Sequence, residues 1–224
     1  MKAKSLRTLA AAALAVASTA HAATKPTPEA VTDLFLRTLV LSDTAAMQSL
    51  NDYTRPVRKA NKADGDFINI PDTVQADKDY AKDLAPVMLE QVKLSDKDKA
   101  ALVPAVEKLM QSVRDAQKRS VCTVGKSEPI TQDVPKNMLA VSVAFDCKVV
   151  SPPEKISGFL QRASKSSWNT AQYREAIDKL RVGYENAPLT QAWQGALPLT
   201  AEKKNGVWQN IFPRESIDVA EVLF

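Results

Sequence analysis

The chain has 224 residues, 45% of them apolar and 25% charged, which describes an ordinary globular protein and excludes a disordered one. Its 30 Lys+Arg against 26 Asp+Glu give a net charge of +4 at pH 7. That excess gives no support to nucleic-acid binding, which needs a clustered basic surface; three of the bases sit within the first seven residues instead.

Those three, Lys2, Lys4 and Arg7, form a cationic start with no acid, followed by an Ala/Leu/Val run from Thr8 to Ala20. The run is shorter than the ~20 residues a membrane span needs. Ala20-His21-Ala22 supplies the small residues that a signal peptidase accepts, so residues 1–22 read as a cleaved signal peptide. Residues 23–224 then read as a single mature domain, exported to the periplasm or secreted. Its 27 bases against 26 acids leave a net charge of +1, and no later segment is apolar for long enough to span a membrane. His21, the single histidine, leaves with the signal. No cysteine stands at Ala23 to suggest a lipid anchor.

The first mature element is a helix. Thr27 caps it with Pro28 at its first position and Glu29 beside it, and Val31, Leu34, Phe35, Thr38 and Leu39 form one apolar stripe. Ser42-Asp43 looks like a fresh cap for a second helix carrying Ala46, Met47 and Leu50 and ending near Tyr53. Residues 54–77 show no sustained period and read as a long loop with a short ordered piece at Phe67-Ile68. Helical patterning resumes at 78–93 and 96–118, with Ser95 and Asp98 in capping-box spacing. Pro86 and Pro104 are expected to kink or interrupt these helices.

Two segments rich in β-branched residues, KRSVCTVGKSEPI and NMLAVSVAFDCKVV, flank the turn-like TQDVPK. Cys122 and Cys147 are the two cysteines, and an even count in an exported chain favours a disulfide. An antiparallel hairpin pairing them sets Val124 against Phe145 and Lys126 against Val143, with the turn at Val134-Pro135. Leu139, Val141, Val143, Phe145 and Cys147 then share the buried face. A redox-active pair would want the C-x-x-C spacing that is missing here.

Ser151-Pro152-Pro153 opens a helix presenting Ile156, Phe159, Leu160 and Ala163. Another begins near Asn169 and presents Tyr173, Ile177, Leu180 and Tyr184. LTQAWQGALPLTAEKKNGVWQNIFP closes the chain as a hairpin turning at Asn205-Gly206. The expected fold is α+β, with helices packed on a small antiparallel sheet and one disulfide.

TPEAVTDLFLRTLVLSDTAAMQSL resembles the opening helix pair of NTF2-like proteins, and LPLTAEKKNGVWQNIF resembles their late hairpin. The resemblance implies a curved sheet wrapped around helices into a cone with a pocket. The 54–118 region and the two helices between the hairpins depart from that family. No functional residue carries over.

Without histidine there is no Ser-His-Asp or Cys-His site and no H-E-x-x-H zinc motif. G-x-S-x-G and S-x-x-K are missing, and the six glycines are isolated, so no phosphate-cradling loop exists. Residues 61–66 put Ala60 and Pro71 where a calcium loop needs acids, so they read as a surface turn. No cofactor or metal is implied. Asp33, beside the first apolar stripe, is either a desolvated acid fit for general catalysis or a solvated residue near the helix start. Trp168, Trp193 and Trp208 with Tyr173 and Tyr184 are either core or a recognition surface. Arg55, Arg58, Lys59 and Lys62 precede Asp64, Asp66, Asp72, Asp77, Asp79 and Asp83, a separation that can steer a charged partner or simply stay solvated.

Elimination leaves a non-catalytic binding protein with a protein partner, most concretely an inhibitor or immunity-type partner of an exported enzyme or toxin. Trp193, Trp208, Trp168 and Tyr173 are its candidate contacts. The alternatives are a small apolar ligand in an NTF2-like cone and a carboxylate-dependent hydrolase or isomerase. Nothing in the sequence sets the oligomeric state.

Overall fold

The computed structural model describes residues 25–210, 212–218 and 223–224. The signal segment 1–22 with His21 lies outside the described residues. The order is α1 (Pro28–Leu39), α2 (Thr44–Ala60), α3 (Ile70–Glu90), α4 (Asp96–Lys118), β1 (Val121–Pro129), β2 (Met138–Val150), α5 (Ile156–Lys165), α6 (Thr170–Glu185), β3 (Leu189–Glu202) and α7 (Pro213–Ser216). The strands form one antiparallel sheet in the order β1-β2-β3. Among the described residues this is an α+β architecture of seven helices packed on a three-stranded sheet, closed by the Cys122–Cys147 disulfide. No described helix is long and apolar enough to cross a membrane.

The expected caps form. Thr27 accepts a hydrogen bond from the Ala30 N–H, and Asp43 accepts from Ala45 and Ala46. Ser95 accepts from the Asp98 N–H, and Asn169 makes a reciprocal capping box with Gln172. Of the expected α1 stripe Val31, Phe35 and Thr38 are buried and Leu34 and Leu39 half-buried, while Leu36, outside the stripe, is buried as well. Val31, Phe35 and Leu36 each contribute about 1.5–3 kcal/mol. Tyr173, Ile177, Leu180 and Tyr184 of α6 are all buried. The Tyr184 hydroxyl accepts from the Ile156 N–H (3.2 Å) and donates to the Leu223 carbonyl (2.6 Å), which clamps the C-terminal segment under α5. Burial pushes its pKa up to about 12.

The region expected to be a loop is mostly helical. α2 runs on to Ala60 because its buried side continues through Asn51, Thr54 and Val57. Thr54 satisfies its own hydroxyl by donating to the Leu50 carbonyl (2.9 Å). α3 starts at Ile70, capped by Asn69 with a proline in its first positions. Residues 61–69 are the only loop left of the expected one. Asn51 pins it, exchanging hydrogen bonds with both backbone groups of Ile68 (2.9 and 2.8 Å). Pro56, Pro86 and Pro104 lie inside α2, α3 and α4, and none interrupts its helix. All three are exposed, as are Asp52, Lys82 and Ala100, the residues whose carbonyls lose an N–H partner. α5 begins at Ile156, three residues later than expected, with Lys155 as its cap.

Cys122 pairs with Cys147 and Val124 with Phe145, as the hairpin reading expects. Val143, however, faces Ser127 and not Lys126, because Gly125 and Lys126 together oppose Ala144 in a bulge. Leu139 is exposed and Ala140 buried, so the expected alternation holds only from Val143 onward. The closing hairpin is corrected more deeply. β3 pairs along its length with β2, from Met138↔Glu202 to Val150↔Leu189. The chain does turn at Gly206 (φ 63), but the return strand shrinks to one bridge, Thr200↔Gln209.

Asp77 of α3 sits between two cations of α4, Arg114 (2.6 Å) and Lys118 (2.6 Å). Burial alone would raise its pKa, but the hydrogen bonds and charges of Lys118 and Arg114 outweigh that and hold it low. Arg114 also donates to Ser42 (2.6 Å) and Gln117 (2.7 Å), so this cluster ties the α1–α2 turn to the α3–α4 pair.

Glu29 closes the outer edge of β1. The bulge turns the Ser127 N–H outward, and the Glu29 carboxylate accepts it at 2.9 Å. Ser127, by side chain first and backbone second, together with the helix-start N–H of Glu29 itself, lowers the Glu29 pKa to about 2. The folded pKa lies below the ordinary value of 4.5, so this group stabilises the fold above that value. The contribution disappears as pH falls from there toward 2. Urea unfolding across that window should show stability falling with acid, with a shallower slope in Glu29→Gln. Identical slopes in the two proteins would remove Glu29 from the acid response.

Candidate functional site

The helices cover one face of the sheet. Val143, Phe145, Cys147 and Val149 of β2 and Leu197, Leu199 and Ala201 of β3 are buried on it. The residues between them point the other way, and Ala144, Lys148, Ala192, Gln194, Ala196 and Pro198 are exposed. This leaves an uncovered face built mainly of small and uncharged side chains.

A shallow open depression of about 520 Å³ lies on that face, lined by Thr123 and Gly125 of β1, Ala144 and Asp146 of β2, and Gln194 and Gly195 of β3. Its floor follows from the bulge. A Cβ placed on Gly125 would lie 3.2 Å from the Ala144 carbonyl oxygen and 3.3 Å from its Cβ, so a larger residue there would have to push β1 and β2 apart by a few tenths of an ångström. One side is polar: Gln194 donates to the Asp146 carboxylate (2.6 Å), and Thr123 donates to the Asp146 carbonyl (3.2 Å). Beneath the depression the Phe145 ring fills the space where Gly195 has no side chain.

This arrangement offers a carboxylate, an amide, a hydroxyl and bare backbone, with no second acid or base among the residues that line it. It suits contact and hydrogen bonding better than proton transfer. Outside the depression Glu29, Asp43, Asp77, Asp98 and Glu185 all lie below their ordinary values, held ionised by the groups around them. A general acid at neutral pH needs the opposite shift. Asp33 is half exposed and ion-paired with Arg37 at 3.8 Å. Among the described residues no group of three or more His, Cys, Asp or Glu could hold a metal ion. In the turn that faintly resembles a calcium loop, Arg58 donates to the carbonyls of Asp64 (2.7 Å) and Gly65 (3.1 Å). Arg55 pairs with Asp52 and Asp66 there, so part of the separated charge is spent within the chain.

The four aromatic candidates fall into three places. Trp168 and Tyr173 meet at 5.3 Å, with Phe159 on the Trp168 ring (6.4 Å) and the Arg162 guanidinium over it (5.4 Å). Tyr173 is buried and donates its hydroxyl to the Ala163 carbonyl (2.9 Å), which is a packing role. Trp193 is half-buried on the helix-covered face, edge-on to Phe145 at 5.2 Å. Trp208 lies at the far end of β3, its backbone N–H donating to the Tyr53 hydroxyl (2.7 Å). The bridge Thr200↔Gln209 sets Trp208 beside Ala201, which is roughly 26 Å along the strand from Trp193 at ~3.3 Å per residue. The two tryptophans therefore stand at opposite ends of the strand.

The residues that line the depression carry weak local signals: two glycines inside strand patterns, and a charge-free run at 186–201. An apolar void among the helices, walled by Met88, Val106, Phe159, Tyr173 and Ile177, holds only about 10 Å³. That is the volume of a single water-sized probe. No protein-family model, curated protein or solved structure matches this chain.

Proposed function

We propose that this is an exported, non-catalytic binding protein that takes a protein partner on the open face of its sheet. Inhibition of an exported enzyme or toxin is the most concrete form of that role, and the periplasm the most concrete location. The depression at Gly125, Ala144, Asp146 and Gln194 carries the reading, since it combines a bare floor with hydrogen-bonding groups on one side. The disulfide fits an oxidising compartment, as the signal-like start does. The water-sized void among the helices favours a protein partner over a small apolar ligand in an NTF2-like cone.

Native mass spectrometry on protein recovered gently from its own cells reads the occupant directly. A bound protein whose affinity drops by at least about tenfold in Ala144→Arg, at unchanged melting temperature, is the expected result. Ala144 is exposed, so the substitution fills the depression without entering the core. A partner held equally well by Ala144→Arg, or a small bound mass in place of a protein, would overturn the assignment.

A further inference from the structure

The two edges of the sheet are finished differently. β1 has a bulge, Lys126, Glu128, a terminal Pro129 and the Glu29 carboxylate on its outward Ser127 N–H. Each of these blunts an edge against another strand. β3 has no such device between Leu189 and Ala196, and residues 186–201 contain no charged side chain.

The register shows which backbone groups that edge presents. Thr200 exchanges both hydrogen bonds with Gln209 on its outer side (2.9 and 2.8 Å), so its backbone points away from β2. Pairing with β2 is unbroken from Glu202 to Gln191, so Pro198, Ala196, Gln194 and Ala192 point outward with it. Pro198 has no N–H to offer, and its carbonyl accepts from Asn210 (2.8 Å). Ala192, Gln194 and Ala196 are exposed, and their outward N–H and C=O groups have no partner among the described residues.

We infer that this edge pairs with the same edge of a second copy, antiparallel about a two-fold axis at Gln194, merging two sheets into one of six strands. The unpaired run is centred on Gln194, so this register uses all of it. Gln194 faces Gln194 of the copy and Ala192 faces Ala196, each facing pair exchanging two bonds, about six in all. On the helix-covered side the half-buried Trp193 lies opposite Gly195 of the copy, whose missing side chain leaves its place to the Phe145 ring, so apolar groups meet across the seam. On the open side Ala192 meets Ala196, two small side chains. An uncharged edge meets its own copy with no like charges opposed.

This inference stands apart from the partner proposed above, and the tests separate them, because Ala144 lies on β2 away from the edge. Sedimentation of the purified protein over a wide concentration range should show a monomer–dimer equilibrium. Ala192→Lys with Ala196→Lys opposes lysines at both ends and should weaken the dimer by at least about tenfold. Ala192→Glu with Ala196→Lys opposes unlike charges and should leave it near the unmodified strength. A monomer at every concentration overturns the inference, and so does a dimer that the double-lysine variant leaves intact.

Discussion

Reduction of the Cys122–Cys147 bridge, or its replacement by Cys122→Ser with Cys147→Ser, lowers the melting temperature by about 10 °C. The bridge joins facing positions on β1 and β2 and closes a sequence separation of 25 residues. Loss of that constraint on the unfolded chain is worth about 3–4 kcal/mol in the chain-entropy model. For a chain of this size each kcal/mol moves the midpoint by about 2–4 °C. The native side adds a second reason for a large effect. β1 is an edge strand with a bulge, held from outside by Glu29, so the bridge is the covalent part of its attachment. Cys147 is fully buried, and a serine there would place a hydroxyl in the core. Calorimetry with and without reductant reads the shift, and hydrogen exchange should show β1 amides losing protection before those of β2. An unchanged midpoint after verified reduction would show that the bridge adds nothing to the fold.

What the chain announces locally and what it leaves to long-range pairing differ in kind. The caps at Thr27, Asp43 and Ser95, and the helix start near Asn169, are legible because each depends on its own next three residues. The cysteine register is legible because the two strands are neighbours in sequence and a short turn leaves few alternatives. α2 and the start of α3 are misread because their signals conflict. Pro56 suggests an end where the exposed side of the helix tolerates it, and Thr54 continues a buried side while looking polar. β3 is legible as a strand from its alternation, but not its neighbour. Asp146 and Gln194, 48 residues apart, meet only because β3 chose β2 over the segment after Gly206. The depression depends on that choice and on a bulge at Gly125, which a strict two-residue period cannot show. The tryptophans draw attention as large side chains, yet the open face is made of small ones.

Phe145→Ala costs about 3–5 kcal/mol, and Gly195→Val about 2 kcal/mol, but the two together cost about 1–2 kcal/mol less than their sum. Phe145 is 3% exposed. A Cβ built on Gly195 would stand 2.5 Å from its Cζ and 3.0 Å from its Cε1, so ring and side chain compete for one space. The far end of a ring can give way only where it has somewhere to go, and here Trp193 stands edge-on to it at 5.2 Å. Valine at 195 must therefore push Phe145 against Trp193 or lift β3 from β2. Once Phe145 is cut back to alanine the same valine fills part of the cavity, and its own penalty vanishes. A double-mutant cycle by urea unfolding measures this coupling, and strict additivity would mean that the ring does not occupy the glycine's space. The pair also joins the core to the open face. Gly195 lies between Gln194 and Ala196, whose backbone groups form the unguarded edge, so a shifted Phe145 moves the segment that lines the depression and carries that edge. Gly195→Val should then weaken dimerisation as well as folding, while a Phe145→Leu variant that relieves the clash should recover part of both.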